Sequence, residues 1–177
     1  MSSQPRVEGD VAIVASKFNP LITDALVEGA LATLAESGVS GDRVRVIRVP
    51  GAFEIPIACQ WSFEAGAVGV IALGCVIRGG TPHFEYVAGE VAAGCNRVSL
   101  DYNAPVAFGV LTTDNLEQAQ VRATGLAVPA QHHPGAAADK DVVEGAPTHG
   151  NKGCEAAAAL VEMLLIRQSL EGVNDGK

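Results

Sequence analysis

Val68-Gly-Val-Ile-Ala-Leu-Gly-Cys75-Val-Ile-Arg78-Gly-Gly-Thr-Pro-His83 is the stretch on which the reading of this chain turns. The apolar run Val68 to Cys75 is a buried strand by length and composition. It runs into Arg78-Gly79-Gly80, after which Thr81-Pro82 has the chemistry of a helix start, a threonine cap followed by proline at the first helical position. A glycine turn therefore presents backbone N–H groups and a helix N-terminus at the carboxyl end of a strand. That arrangement suits an anion such as phosphate. His83 follows immediately, and an ordinary histidine titrates near neutrality. A proton carrier beside an anion cradle is the outline of an active site.

The same alternation extends outward in both directions. Three further strand-like runs, Val11 to Ala15, Val44 to Val49 and Val106 to Leu111, are separated by helical patterns. Those patterns run from about Pro20 to Ser37, Phe53 to Ala65, Phe84 to Leu100, Leu116 to Ala123 and Gly153 to Leu170. Alternation of this kind predicts an α/β fold: a central parallel sheet of four strands with helices on both faces. Asn19-Pro20 follows the first strand as Thr81-Pro82 follows the third, and Asp114 with Glu117 has capping-box spacing after the fourth. With the Pro50–Pro56 loop these segments gather at the carboxyl ends of the strands, where open α/β sheets bind ligands. Each alone reads as an ordinary cap.

Composition narrows the field. The 177 residues fit one domain, and the net charge of −8 speaks against a nucleic-acid partner. Cys59, Cys75, Cys95 and Cys154 show no metal or redox spacing and read as small thiols within apolar patterns. The N-terminus lacks the apolar core of a signal peptide, and the longest apolar runs are too short to cross a bilayer. A cytoplasmic protein without membrane association is expected. Residues 1–10 read as a polar N-terminal arm. Residues 124–149, rich in Ala, Gly and Pro, read as a long inserted loop. Its histidines, His132, His133 and His149, read as solvated residues rather than a metal site.

Several motifs in one order resemble the lumazine synthase family. They are Phe18-Asn19, Val49-Pro-Gly-Ala-Phe-Glu-Ile-Pro56, Ala72 through His83, Phe108-Gly-Val-Leu-Thr-Thr113, Glu117-Gln-Ala119 with Arg122, and Gly150-Asn-Lys-Gly153. The resemblance covers Val11 to about Gln168, the inserted segment excepted. It implies a flavodoxin-like three-layer sandwich. It also implies an enzyme of riboflavin biosynthesis that joins 5-amino-6-ribitylaminopyrimidinedione to 3,4-dihydroxybutanone 4-phosphate. The products are 6,7-dimethyl-8-ribityllumazine, phosphate and water. No metal or organic cofactor is implied, and the sites lie between adjacent subunits of a homopentamer.

By that resemblance His83 transfers protons, Gly80 and Thr81 cradle the phosphate, and Arg122 closes the cradle. Phe18 stacks on the pyrimidine, and Ala52, Phe53 and Glu54 meet the ribityl chain. Cys75, Val76 and Ile77 offer backbone contacts to the pyrimidine, and Lys152 adds a polar one. Phe108 reaches into a neighbour's site, although from the residues alone it reads as strand core, just as Arg122 alone reads as a solvated helix residue. The family joins the helix of Arg122 to Gly-Asn-Lys-Gly by a very short linker, and this chain is about twenty residues longer there. Such insertions go with free pentamers rather than closed shells. Two other readings stay open: a flavin- or lumazine-binding protein on the same fold without catalysis, and a scaffold.

Overall fold

The computed structural model describes residues 6–125 and 150–174. Four parallel strands stand in the order β2-β1-β3-β4: β1 (Asp10–Ser16), β2 (Val44–Val49), β3 (Ala67–Ile77) and β4 (Val106–Thr113). Among the described residues five α-helices accompany them: α1 (Pro20–Glu36), α2 (Ile55–Glu64), α3 (His83–Asp101), α4 (Leu116–Thr124) and α5 (Lys152–Asn174). Ile13 of β1 lies between Val46 of β2 and Ile71 of β3, which fixes the register at the centre of the sheet.

Side chains alternate across the sheet, so each strand feeds two cores. Val11, Ile13, Ala15, Ile71 and Leu73 pack beneath α1, α4 and α5, with Leu26, Leu34, Leu160 and Leu164. Ala12, Val14, Val70 and Ala72 pack on the opposite face beneath α2 and α3, with Ile55, Cys59, Val91 and Cys95. Both faces of β1 and β3 are thus buried, which is why their sequences are continuously apolar. The result is a flavodoxin-like three-layer α/β sandwich. The strand order reverses between β1 and β3, and a ligand crevice is expected outside the carboxyl ends of those strands.

The elements differ from the sequence reading at particular residues. The second expected helix begins as a 3-10 turn, Ala52–Glu54, before α2 proper. Thr81 does not cap α3. Pro82 holds the cap position in helical geometry without a side-chain cap, and Pro82 O accepts from Glu85 N at 3.1 Å, leaving Thr81 one residue too early. Asp114 and Glu117 form no capping box: Asn115 caps α4, its side chain accepting from Gln118 N at 2.9 Å, and Asp114 is drawn to Arg78 instead.

The polar arm shortens as well. Val7 is buried in the core, and Arg43 Nη2 donates to Val7 O at 3.0 Å and also to Gly9 O. Residues 1–5 lie outside the described residues. Of the expected insertion, Thr124 ends α4 and Gly125 follows in left-handed geometry, φ 69°. Residues 126–149, with His132, His133 and His149, lie outside the described residues.

Candidate active site

β1 ends at Ser16, and Lys17 N still donates to Val49 O at 2.7 Å before Phe18 swings into solvent with 70% of its surface exposed. Asn19 then takes left-handed geometry, φ 56°, to begin α1. Its side chain leaves the cap unmade and crosses to donate to Cys75 O at 3.1 Å. That bond ties the loop after β1 to the end of β3 at the place where the strand order reverses. After β2, the Gly51 amide donates to Glu54 Oε2 at 2.9 Å and closes the 3-10 turn. The other carboxylate oxygen of Glu54 has no partner among the described residues.

These loops and the start of α3 enclose an open cleft of about 640 Å³. Phe18, Ala52, Phe53, Glu54, Cys75, Val76, Ile77, Thr81 and His83 all line it. Gly80 sits between two lining residues, Gly79 and Thr81. Asn19, Gly51, Phe84, Tyr86 and Val87, none named as a substrate contact from the sequence, complete the walls. An apolar cavity with a few convergent polar groups is the ordinary form of a small-molecule site. The His83 ring is exposed at the first residue of α3 and has no hydrogen-bond partner among the described residues. The amides of His83 and Phe84 open the helix and precede its first internal bond, so they face outward as donors. Burial pushes the Cys75 thiol up to about 11, so it stays neutral at physiological pH and contributes backbone, not nucleophile.

Phe108, Arg122 and Lys152 are not there. They line a second cleft, of about 420 Å³, between β4, α4 and the start of α5. The two clefts share no lining residue. Phe108 is not strand core: β4 is one of the two edge strands of the sheet, and the residue is 45% exposed. Arg122 Nη1 donates to Gln118 O at 3.2 Å, which leaves most of its guanidinium fork without a partner among the described residues. Lys152 Nζ meets Glu155 Oε2 at 2.5 Å. Lys152 is placed by its neighbours. Asn151 Oδ1 accepts from Gly153 N at 2.7 Å and caps α5, while Asn151 Nδ2 donates to Ala25 O of α1 at 2.8 Å. Gly153 permits this contact, since a Cβ there would lie 1.9 Å from Leu26 O.

The profile of 6,7-dimethyl-8-ribityllumazine synthase matches residues 8–168. The chain belongs to the lumazine synthase family. Among solved structures, two of a GDP-L-fucose synthetase from Naegleria fowleri align over 99% of this chain. The first covers 49% of that protein at 16% identity and a TM-score of 0.39. The second, bound to NADP, covers 50% at 17% identity and a TM-score of 0.38. The chain spans about half the length of that protein, and a likeness this slight has no bearing on function. Among the described residues no helix of this lumazine synthase family member is long and apolar enough to cross a membrane, and no group of three or more His, Cys, Asp or Glu could hold a metal.

Sequence reasoning placed Asn19 and Asn151 in motifs but gave neither its role, because each role depends on a partner far along the chain. It missed Glu155, because a glutamate in the first turn of a helix reads as a dipole partner. It also gave Arg78 no direct duty. In this lumazine synthase family member Arg78 donates through Nε to Asp114 at 2.9 Å and through Nη1 to Glu85 at 3.1 Å. Its guanidinium lies 4.4 Å from the centroid of the Phe84 ring. Asp114 first, and then Glu85, raise the Arg78 pKa further above its ordinary value.

Proposed function

We propose that this protein is a 6,7-dimethyl-8-ribityllumazine synthase whose active site is completed by a second copy of the chain. It condenses 5-amino-6-ribitylaminopyrimidinedione with 3,4-dihydroxybutanone 4-phosphate. The observation that supports this reading is the division of the expected site residues into two clefts with no residue in common. A ring of copies, five by the family resemblance, sets the Phe108–Arg122–Lys152 cleft of one against the His83 cleft of the next.

In that reading the pyrimidine stacks on Phe18, and the ribityl hydroxyls bond to the free oxygen of Glu54. The main chain of Cys75 to Ile77 lies along the ring. The phosphate sits on the Gly80–Thr81 turn at the N-terminus of α3, where the uncapped Thr81 hydroxyl is free to donate. Arg122 of the neighbouring copy supplies a rigid donor fork. His83 moves protons as the amine condenses with the ketone, phosphate leaves and the ring closes. A positioned base of this kind contributes on the order of 10²–10⁴-fold. Holding two reactants in line contributes more, up to roughly 7–11 kcal/mol. Burial keeps the Cys75 thiol protonated and out of the chemistry.

The test is optical measurement of lumazine formation against a no-protein control, first with the native protein and then with two variants made separately and coexpressed. His83→Ala and Arg122→Ala homomers are each expected to be nearly inactive. In mixed assemblies about a quarter of sites pair an intact His83 with an intact Arg122, so activity returns. Coexpressed variants as inactive as the homomers would place the site within one chain and overturn the reading. Tight flavin binding without turnover would select a binding protein. Light scattering gives the size of the assembly; a megadalton particle would contradict free pentamers.

A further inference from the structure

We infer that Arg78 is a positioning residue of the site: it clamps the Gly79–His83 turn at its base and thereby sets where the turn's amides and the His83 ring stand. The inference rests on the function proposed above.

The turn holds itself poorly. Among the described residues Gly79 and Gly80 enter no loop hydrogen bond, Thr81 makes no cap bond, and a Cβ added at either glycine would meet nothing within 4 Å. What fixes the turn is the residue that begins it. Arg78 reaches over the turn to the two residues that close it, stacking on Phe84 at 4.4 Å and bonding Glu85 at 3.1 Å. A third arm runs to Asp114 at 2.9 Å, and Arg78 N donates to Thr113 O at 2.8 Å, so the clamp is anchored to the end of β4. Isolated surface ion pairs contribute little. Here one planar fork bridges two carboxylates in different directions while lying on an aromatic ring, a geometry that lysine's single ammonium does not reproduce. Both carboxylates already engage the guanidinium, so Arg78 orients the cradle rather than binding the anion itself.

Charge and position make opposite predictions at Glu85, and that decides the test. Glu85→Gln removes a negative charge near the cradle. A purely electrostatic effect would lower the KM for the phosphate substrate; loosening of the clamp raises it. The experiment measures kcat and both KM values for the native assembly, Arg78→Gln, Arg78→Lys and Glu85→Gln, with folding and assembly of each checked by circular dichroism and sedimentation. Inorganic phosphate binding by calorimetry is measured in parallel.

Arg78→Gln is expected to lower kcat/KM for the phosphate substrate on the order of 100-fold, the cost of a displacement near 1 Å, with the KM for the pyrimidine unchanged. Arg78→Lys should recover only part of this, and Glu85→Gln should raise the KM for the phosphate substrate. Full recovery by lysine, a lowered KM in Glu85→Gln, or equal changes in both KM values would overturn the inference. A native protein that makes no lumazine yet binds phosphate, and binds it less well in Arg78→Gln, would refute the enzyme reading and leave the clamp standing. Equal phosphate binding in the two would refute the clamp, as would no binding in either.

Discussion

Gly80→Ala separates what the fold needs from what the ligand needs. The backbone of Gly80 is outside the left-handed region, and a Cβ there meets no atom of the described residues within 4 Å. Nothing in the described structure therefore requires glycine at this position. Alanine restricts the unfolded chain more than the folded one, and at a compatible site that stabilises by about 0.4–1 kcal/mol. For a domain of this length the gain corresponds to a rise of roughly 1–4 °C in Tm. Function should move the other way. The added methyl projects into the open side of the turn, where the phosphate is proposed to lie. Loss of one charge-assisted bond costs about 1.5–3 kcal/mol. That corresponds to roughly a 10- to 150-fold rise in the KM for the phosphate substrate. Scanning calorimetry and steady-state kinetics with each substrate varied in turn give both numbers. A variant with unchanged KM and raised Tm would refute contact between Gly80 and the phosphate. A fall in Tm would refute the reading of the turn as open and unstrained.

Three other outcomes are expected. His83→Ala should lower kcat by roughly 10²–10⁴-fold while leaving both KM values nearly unchanged, and an unchanged kcat would remove His83 from proton transfer. Gly153→Ala should lower Tm by roughly 5–10 °C, because backbone rather than a flexible side chain stands 1.9 Å from the new Cβ; a native Tm would show that α5 can shift away from α1. Stability should also fall in alkali. Burial raises Cys75 from 9.0 to about 11, and contact with Cys95 together with burial raises Cys59 in the same direction. The folded state therefore holds protons that the unfolded state loses above about pH 9; the Cys75 contribution is complete below that pH and is lost as pH rises through 11, while the more strongly raised Cys59 keeps its proton in the folded state over the same range. Denaturation midpoints measured from pH 7 to 11 should show the decline, and a shallower one in Cys75→Ala; identical profiles would refute the assignment.

Legibility of the sequence followed the range of the interactions. The continuous apolar runs of β1 and β3 announced a sheet covered on both faces, and the loops at the strand ends announced the first cleft. Cap assignments failed where neighbours competed. Thr81 has the right side chain for a cap, but Pro82 occupies the position. Asp114 was as good a candidate as Asn115 until Arg78, 36 positions away, took its carboxylate. Val7 looked like part of a polar arm because the Arg43 side chain that holds its segment comes from the far side of α1. The separation of Phe108, Arg122 and Lys152 from His83 was invisible for the same reason. Motif order says which residues are present, and only the sheet order, with β4 at one edge, says which side of the molecule each one faces.

The ends of the inserted segment carry one more consequence. A Cβ on Gly125 would lie 3.4 Å from Asn151 N and 3.5 Å from the Cα of Gly150, so the chain departs from α4 and re-enters α5 at nearly one point. Asn151 and Gly153 lock the re-entry side to α1 independently of what precedes them. Lengthening or shortening the segment between these ends changes closure entropy by only about 0.6 kcal/mol per doubling. Neither Arg122 nor Lys152 need move. The molecule thus offers a grafting port: a foreign peptide or a whole folded module can be spliced once per copy between Gly125 and Gly150, while the helix ends on either side keep their places.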